Sequence, residues 1–117
     1  MKPKKNVEIW QTLQGYEGYF LISNYGKLKV LGREICTGKN KKVRRYLREY
    51  VKNTYYIING VAYYQVSLYG KKLMINISKA VAAAFVPNPN NYKFVRFKNR
   101  NIQDFYFKNL IWSKKGG

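Results

Sequence analysis

Between Tyr55 and Tyr69 the chain is rich in tyrosine, isoleucine and valine, and it is broken once, at Asn59-Gly60. Asparagine followed by glycine accepts the positive φ that a type I′ turn demands, while β-branched and aromatic neighbours favour extended backbone. The run therefore predicts an antiparallel hairpin. A second turn at Gly70-Lys71-Lys72 would lead into a strand from Leu73 to Ile77. Ser78 is placed to cap a helix over residues 79–85, where alanines supply propensity and Val81 and Phe85 form an i, i+4 apolar pair. Pro87 and Pro89 stop that helix. One short helix among antiparallel strands is an α+β pattern.

Upstream, residues 15–31 read as two short strands joined by a tight turn at Asn24-Tyr25-Gly26, with an anchor at Trp10. After the turn, apolar Leu28 and Val30 alternate with Lys27 and Lys29, so one face is predicted buried and the other cationic. Residues 38–45 hold Lys39, Lys41, Lys42, Arg44 and Arg45 and read as a basic loop, after which Tyr46 to Val51 returns to strand chemistry. Beyond the prolines, a strand from Phe94 to Lys98, a turn at Asn99-Arg100-Asn101, a short helix opened by Asp104 and a last strand around Ile111-Trp112 are expected.

Charge narrows the function. The 117 residues carry 23 lysines and arginines against 5 acids, a formal net charge of +18. Bases spread over both halves at this density imply a polyanionic partner, bound through phosphate contacts that carry no sequence information by themselves. A single cysteine, Cys36, excludes an internal disulfide and a cysteine-rich zinc site. The basic start is followed by Asn6, Glu8 and Gln11 in place of an apolar stretch, so neither a secretory signal nor a membrane anchor is expected. A cytoplasmic setting follows as the expectation, and the lysine, asparagine and tyrosine bias fits a phage or bacterial mobile element.

Two blocks of the sequence resemble a known combination. Glu8-Ile9-Trp10, Gly15-Tyr16-Glu17-Gly18-Tyr19 and Ser23-Asn24-Tyr25-Gly26-Lys27-Leu28 are similar to the NUMOD-type DNA-binding motif. Tyr64 to Tyr69, Val81 to Pro89 and Lys108-Asn109-Leu110-Ile111-Trp112 resemble the HNH module of phage and intron-encoded homing endonucleases. A flexible basic lead is expected at residues 1–6 from its composition, and the resemblance implies a NUMOD-like β module with a basic loop at 7–53 and a degenerate ββα-metal (HNH-like) module at 54–117.

The departures from that pattern bear on chemistry. HNH nucleases cleave phosphodiesters with a strand-borne histidine that activates water beside a divalent metal. This sequence has no histidine. By the resemblance, the general base falls on Phe97, the preceding metal-ligand position on Arg96, and the histidine that opens the family's helix on Ser78. Asn109 alone keeps the type of a metal ligand, and its bland role is to pin the final turn. No catalytic residue, no metal and no cofactor are therefore expected, and the chain is read as a non-enzyme.

What remains is a binder. Lys27, Lys29, Lys39, Lys41, Lys42, Arg44, Arg45, Arg48, Arg96, Lys98 and Arg100 are the candidate contacts to a phosphate backbone of DNA or RNA, with no membrane and no small-molecule substrate. Most of the twelve tyrosines are expected in the core or on sheet faces, with exposed ones left as candidates to stack on bases. Two other readings stay open on the residues alone. One is a phage or mobile-element inhibitor or accessory protein docking on a nucleoprotein machine such as an RNA-guided CRISPR nuclease. The other is a component of a ribosome-like particle.

Overall fold

A computed structural model describes residues 7–115, so the basic lead at 1–6 lies outside the described residues. The chain forms β1 (Trp10–Thr12), β2 (Phe20–Ser23), β3 (Leu28–Val30), β4 (Arg33–Thr37), β5 (Val43–Leu47), β6 (Tyr50–Lys52), β7 (Tyr56–Ile58), β8 (Val61–Leu68) and β9 (Lys71–Asn76). Helix α1 (Ile77–Phe85), β10 (Phe94–Phe97) and β11 (Leu110–Ser113) complete it. Every strand pairing is antiparallel, in sheets ordered β1-β2-β3-β6, β4-β5, β7-β8-β9 and β10-β11. Small antiparallel sheets around one helix make this an α+β fold.

The hairpin at Asn59-Gly60 forms as expected, with φ of 52° and 78° at the two turn residues. On β8, Ala62, Tyr64 and Val66 are buried while Val61, Tyr63 and Gln65 are only half covered, the alternation of a strand with one face on a core. The next turn differs from expectation. It sits on Tyr69 and Gly70, at φ 51° and 75°, and Lys71 and Lys72 already belong to β9, paired with Leu68 and Ser67.

The helix start also differs. Asn76, and not Ser78, is the N-cap: its Oδ1 accepts from the Lys79 N–H at 3.2 Å, and α1 begins at Ile77. Ser78 is buried inside the first turn and donates its hydroxyl to the same Asn76 oxygen at 3.1 Å. Both residue types cap well, so the choice falls to the side chains around them. Ile77, fully buried, needs to be inside the helix to reach the core.

Residues 38–45 are not a simple loop. Val43–Leu47 pairs with Arg33–Thr37, and only a short 3-10 turn at Lys39–Lys41 connects them. The pairing keeps one register through a break: Val30 faces Tyr50, then Arg33 faces Leu47. Thus β3-β4 and β5-β6 are one long ribbon, interrupted where Gly32 brings its backbone against the Tyr46 hydroxyl and the Leu47 carbonyl. The outer part of the ribbon is an arm that packs mainly on itself, with every described side chain of β5 exposed. The short helix expected after Asp104 is a single 3-10 turn, Phe107–Asn109, preceded by Tyr106 without a side-chain cap.

One buried cluster joins both halves of the sequence. Leu13, Phe20, Ile22 and Leu28 pack with Tyr64, Val66, Ile77, Val81, Phe105 and Leu110. The joint is the Asn24-Tyr25-Gly26 turn. The Tyr64 hydroxyl donates to the Gly26 carbonyl at 2.6 Å, and the Phe107 N–H donates to the Asn24 carbonyl at 2.9 Å. Gly26 has φ 88°, and a Cβ there would stand 2.4 Å from the Phe105 Cβ, so only glycine fits. Burial pushes the Tyr64 hydroxyl up to a pKa of about 12.

Candidate nucleic-acid interface

Strand β10 has two unlike faces because its side chains alternate. Phe94 and Arg96 are exposed, while Val95 and Phe97 are half-buried against the core. Arg96 lies opposite Ile111 on β11. Just past β10, Lys98 is held by its N–H to the Asn109 carbonyl at 2.7 Å, and Arg100 adopts φ 63° at the tip of the turn. These two positions aim cations away from the core at the end of a short hairpin.

A cleft of about 800 Å³ opens between the β7-β8 turn, the start of α1 and β10. Arg96, Arg100, Lys79 and Lys93 line it, together with Ser78, Phe94, Phe97 and the Asn59 turn. The three positions where the resemblance places catalytic chemistry, Ser78, Arg96 and Phe97, therefore line one cleft. A second, shallower cleft of about 340 Å³ lies beside it and is lined by Arg96, Lys98, Arg100, Ile111 and Trp112. Arg96 and Arg100 border both. Lys79 and Lys93 were not among the residues expected from sequence. Lys93 directly precedes β10, and Lys79 joins it at the cleft through the packing of α1 against β10.

The residues present do not fit a catalytic divalent ion. Such ions take oxygen ligands, mostly carboxylates and carbonyls. Asp104 is the only acid in residues 54–117, and its Oδ2 accepts from the Asn99 side chain at 2.8 Å. Asn109 is likewise occupied: its Oδ1 accepts from the Asn99 N–H at 3.0 Å. Its Nδ2 donates to Asn99 Oδ1 at 2.9 Å and to the Asp104 carbonyl at 3.0 Å. Asn109 thus pins the loop that carries Arg100. Among the described residues no group of three histidines, cysteines or acids could hold a metal.

The remaining expected contacts lie on the first sheet and its ribbon. Lys27 is exposed beside the Gly26 turn, just before β3. Lys29 is only partly exposed; its Nζ stands 3.9 Å from Glu49 and 4.5 Å from the Trp10 ring centre, so its charge is shared internally. Along the arm, Arg44 lies opposite Cys36 and Arg45 opposite Ile35, which puts the two guanidinium groups on opposite faces. Lys39, Lys42 and Arg48 are exposed at its tip and base, and the side chain of Lys41 lies outside those described. At the base, Arg33 sits over the rings of Tyr19 and Tyr69, whose hydroxyls are hydrogen-bonded to each other, which raises the Tyr19 pKa.

Among known structures, the DNA-binding and DNA-cleaving HNH homing endonuclease I-HmuI superposes on 90% of this chain with a TM-score of 0.62 and 20% sequence identity. The chain shares that enzyme's fold. It spans about half of that protein, 52% of its length. No protein-family model matches the chain, and no curated protein does. Among the described residues no helix is long and apolar enough to cross a membrane.

Proposed function

We propose that this chain is a catalytically inactive nucleic-acid-binding protein built on the plan of an HNH homing endonuclease, with the former cutting site turned into a grip for phosphate. The observation that carries the reading is the lining of the cleft. Where the resemblance places the nuclease's imidazoles and metal ligand, the chain has Phe97, Arg96 and Ser78, and these line one cleft with Lys79, Lys93 and Arg100. A phenyl ring takes no proton from water, and a guanidinium repels the cation that cleavage requires. The same cations suit a phosphate left uncut, since none has a carboxylate within ion-pair distance among the described residues.

The first sheet supports the same partner. Its resemblance to a NUMOD-type motif, the exposed Lys27, and the arm with Arg44, Arg45 and Arg48 extend the cationic surface away from the cleft. The DNA binding of the structural neighbour gives the class of partner, carried over here as nucleic acid.

Incubation of purified protein with supercoiled plasmid and Mg²⁺ or Mn²⁺ tests the inactive half: no nicking above an Arg96→Ala control is expected, and nicking above it would refute the loss of catalysis. Titration of labelled DNA and RNA over a salt series tests the other half. A log affinity that does not fall with log salt would refute the phosphate grip.

A further inference from the structure

The large cleft is not shaped for phosphate alone. Its lining sets apolar Val61, Phe94, Val95 and Ile102 among the cations, together with the Asn59 turn. At about 800 Å³ it falls within the range of roughly 300 to 1,000 Å³ typical of sites that enclose a small molecule. An intact duplex presents phosphate outside and keeps its bases stacked, so it would meet the cations and leave the apolar side chains in water. An unpaired nucleotide supplies a planar apolar face and a phosphate together.

We propose that this cleft seats a single unpaired nucleotide, its base against Phe94 and its phosphate on Arg96, Arg100, Lys79 and Lys93. The proposal rests on the phosphate-gripping reading and names the form of nucleic acid gripped. Phe94 is suited to the role by its position. It is 48% exposed, lies outside the core, and shares the outer face of β10 with Arg96 two residues on. Stacking surface and phosphate contact are thus adjacent on one rigid strand. The exposed Asn59, in the left-handed turn between β7 and β8, brings an amide that can donate to and accept from a base edge.

The test uses fluorescence anisotropy at one salt concentration. The probes are a blunt duplex, the same duplex with a one-nucleotide bulge carrying a fluorescent purine, and a single strand, each as DNA and as RNA. The bulged and single-stranded probes, of at least one sugar type, are expected to bind about tenfold tighter than the blunt duplex, the scale of one base stacked on an aromatic ring. The bulged purine should be quenched on binding. Phe94→Ala should remove both the preference and the quench, and Phe94→Tyr should keep both. Arg96→Ala should weaken every probe. Equal affinity for all three forms, or a preference that survives Phe94→Ala, overturns the nucleotide seat and leaves the grip standing. Absence of binding to every probe overturns the grip as well.

Discussion

Replacing Arg100 by glycine should make the protein more stable and a weaker binder at once. Arg100 holds φ 63° at the turn after β10, a left-handed conformation that costs an ordinary residue about 1 to 2 kcal/mol. Glycine removes that cost but gives up about 0.5 to 1 kcal/mol through the greater freedom of its unfolded chain. The difference favours glycine by about 0 to 1.5 kcal/mol, which for a chain of this size raises Tm by up to about 7 °C. Nothing else in the fold is lost. The side chain is exposed, and the Arg100 N–H to the Phe97 carbonyl, 3.1 Å, is a backbone bond that glycine keeps. Binding moves the other way, because one phosphate contact disappears. The slope of log affinity against log salt should become shallower by about 0.9 on duplex and about 0.7 on a single strand. Arg100→Ala is the control, since it removes the charge without relieving the backbone and should match the binding loss with no gain in Tm. Circular dichroism melts and anisotropy titrations over a salt series read both quantities. A lower Tm for Arg100→Gly would refute the backbone argument, and an unchanged slope would refute Arg100 as a phosphate contact.

Three further outcomes follow from the joint and the pinned loop. Gly26→Ala places a Cβ 2.4 Å from the Phe105 Cβ at φ 88° and should cost about 3 kcal/mol or more, seen as a collapsed Tm; a change below 1 °C would show that the turn yields. Tyr64→Phe leaves the Gly26 carbonyl without its donor and should cost about 1 to 3 kcal/mol in denaturant unfolding. Because the Tyr64 pKa in the folded state lies near 12, above its ordinary 10.0, its contribution is complete below pH 10 and is lost as pH rises from there towards 12. Stability of the wild type should accordingly fall more steeply than that of Tyr64→Phe across that window, and parallel curves would contradict the assignment. Asn109→Ala removes three hydrogen bonds from the loop and should cost about 1 to 3 kcal/mol, with no effect of millimolar Mg²⁺ on either Tm. A Mg²⁺-dependent rise present only in the wild type would give Asn109 a metal after all.

Where local chemistry determined the backbone, the sequence was readable. Asn59-Gly60 could form little but its hairpin turn, and the alanine run before Pro87 could form little but a helix. The arm was hidden for a physical reason. Strand patterns are recognised by one buried and one wet face, and β5 buries neither, so Val43 to Arg45 read as part of the cationic loop and only Tyr46 and Leu47 as strand. Capping at Asn76 was missed because a strand residue that also caps gives no separate signal beside the more obvious Ser78. The cleft was half legible. Lys93, Arg96 and Arg100 share one local segment, whereas Lys79 meets them only through the packing of α1 against β10.

The arm and the joint together set how the molecule tolerates damage. Residues on either side of the arm's tip, from Leu13 to Leu28 and from Tyr64 to Leu110, interlock in the same core, while the tip itself touches little beyond its own ribbon. A backbone break between β4 and β5 would therefore leave two fragments clasped as one body. The chain could lose covalent continuity there and still present its cleft intact.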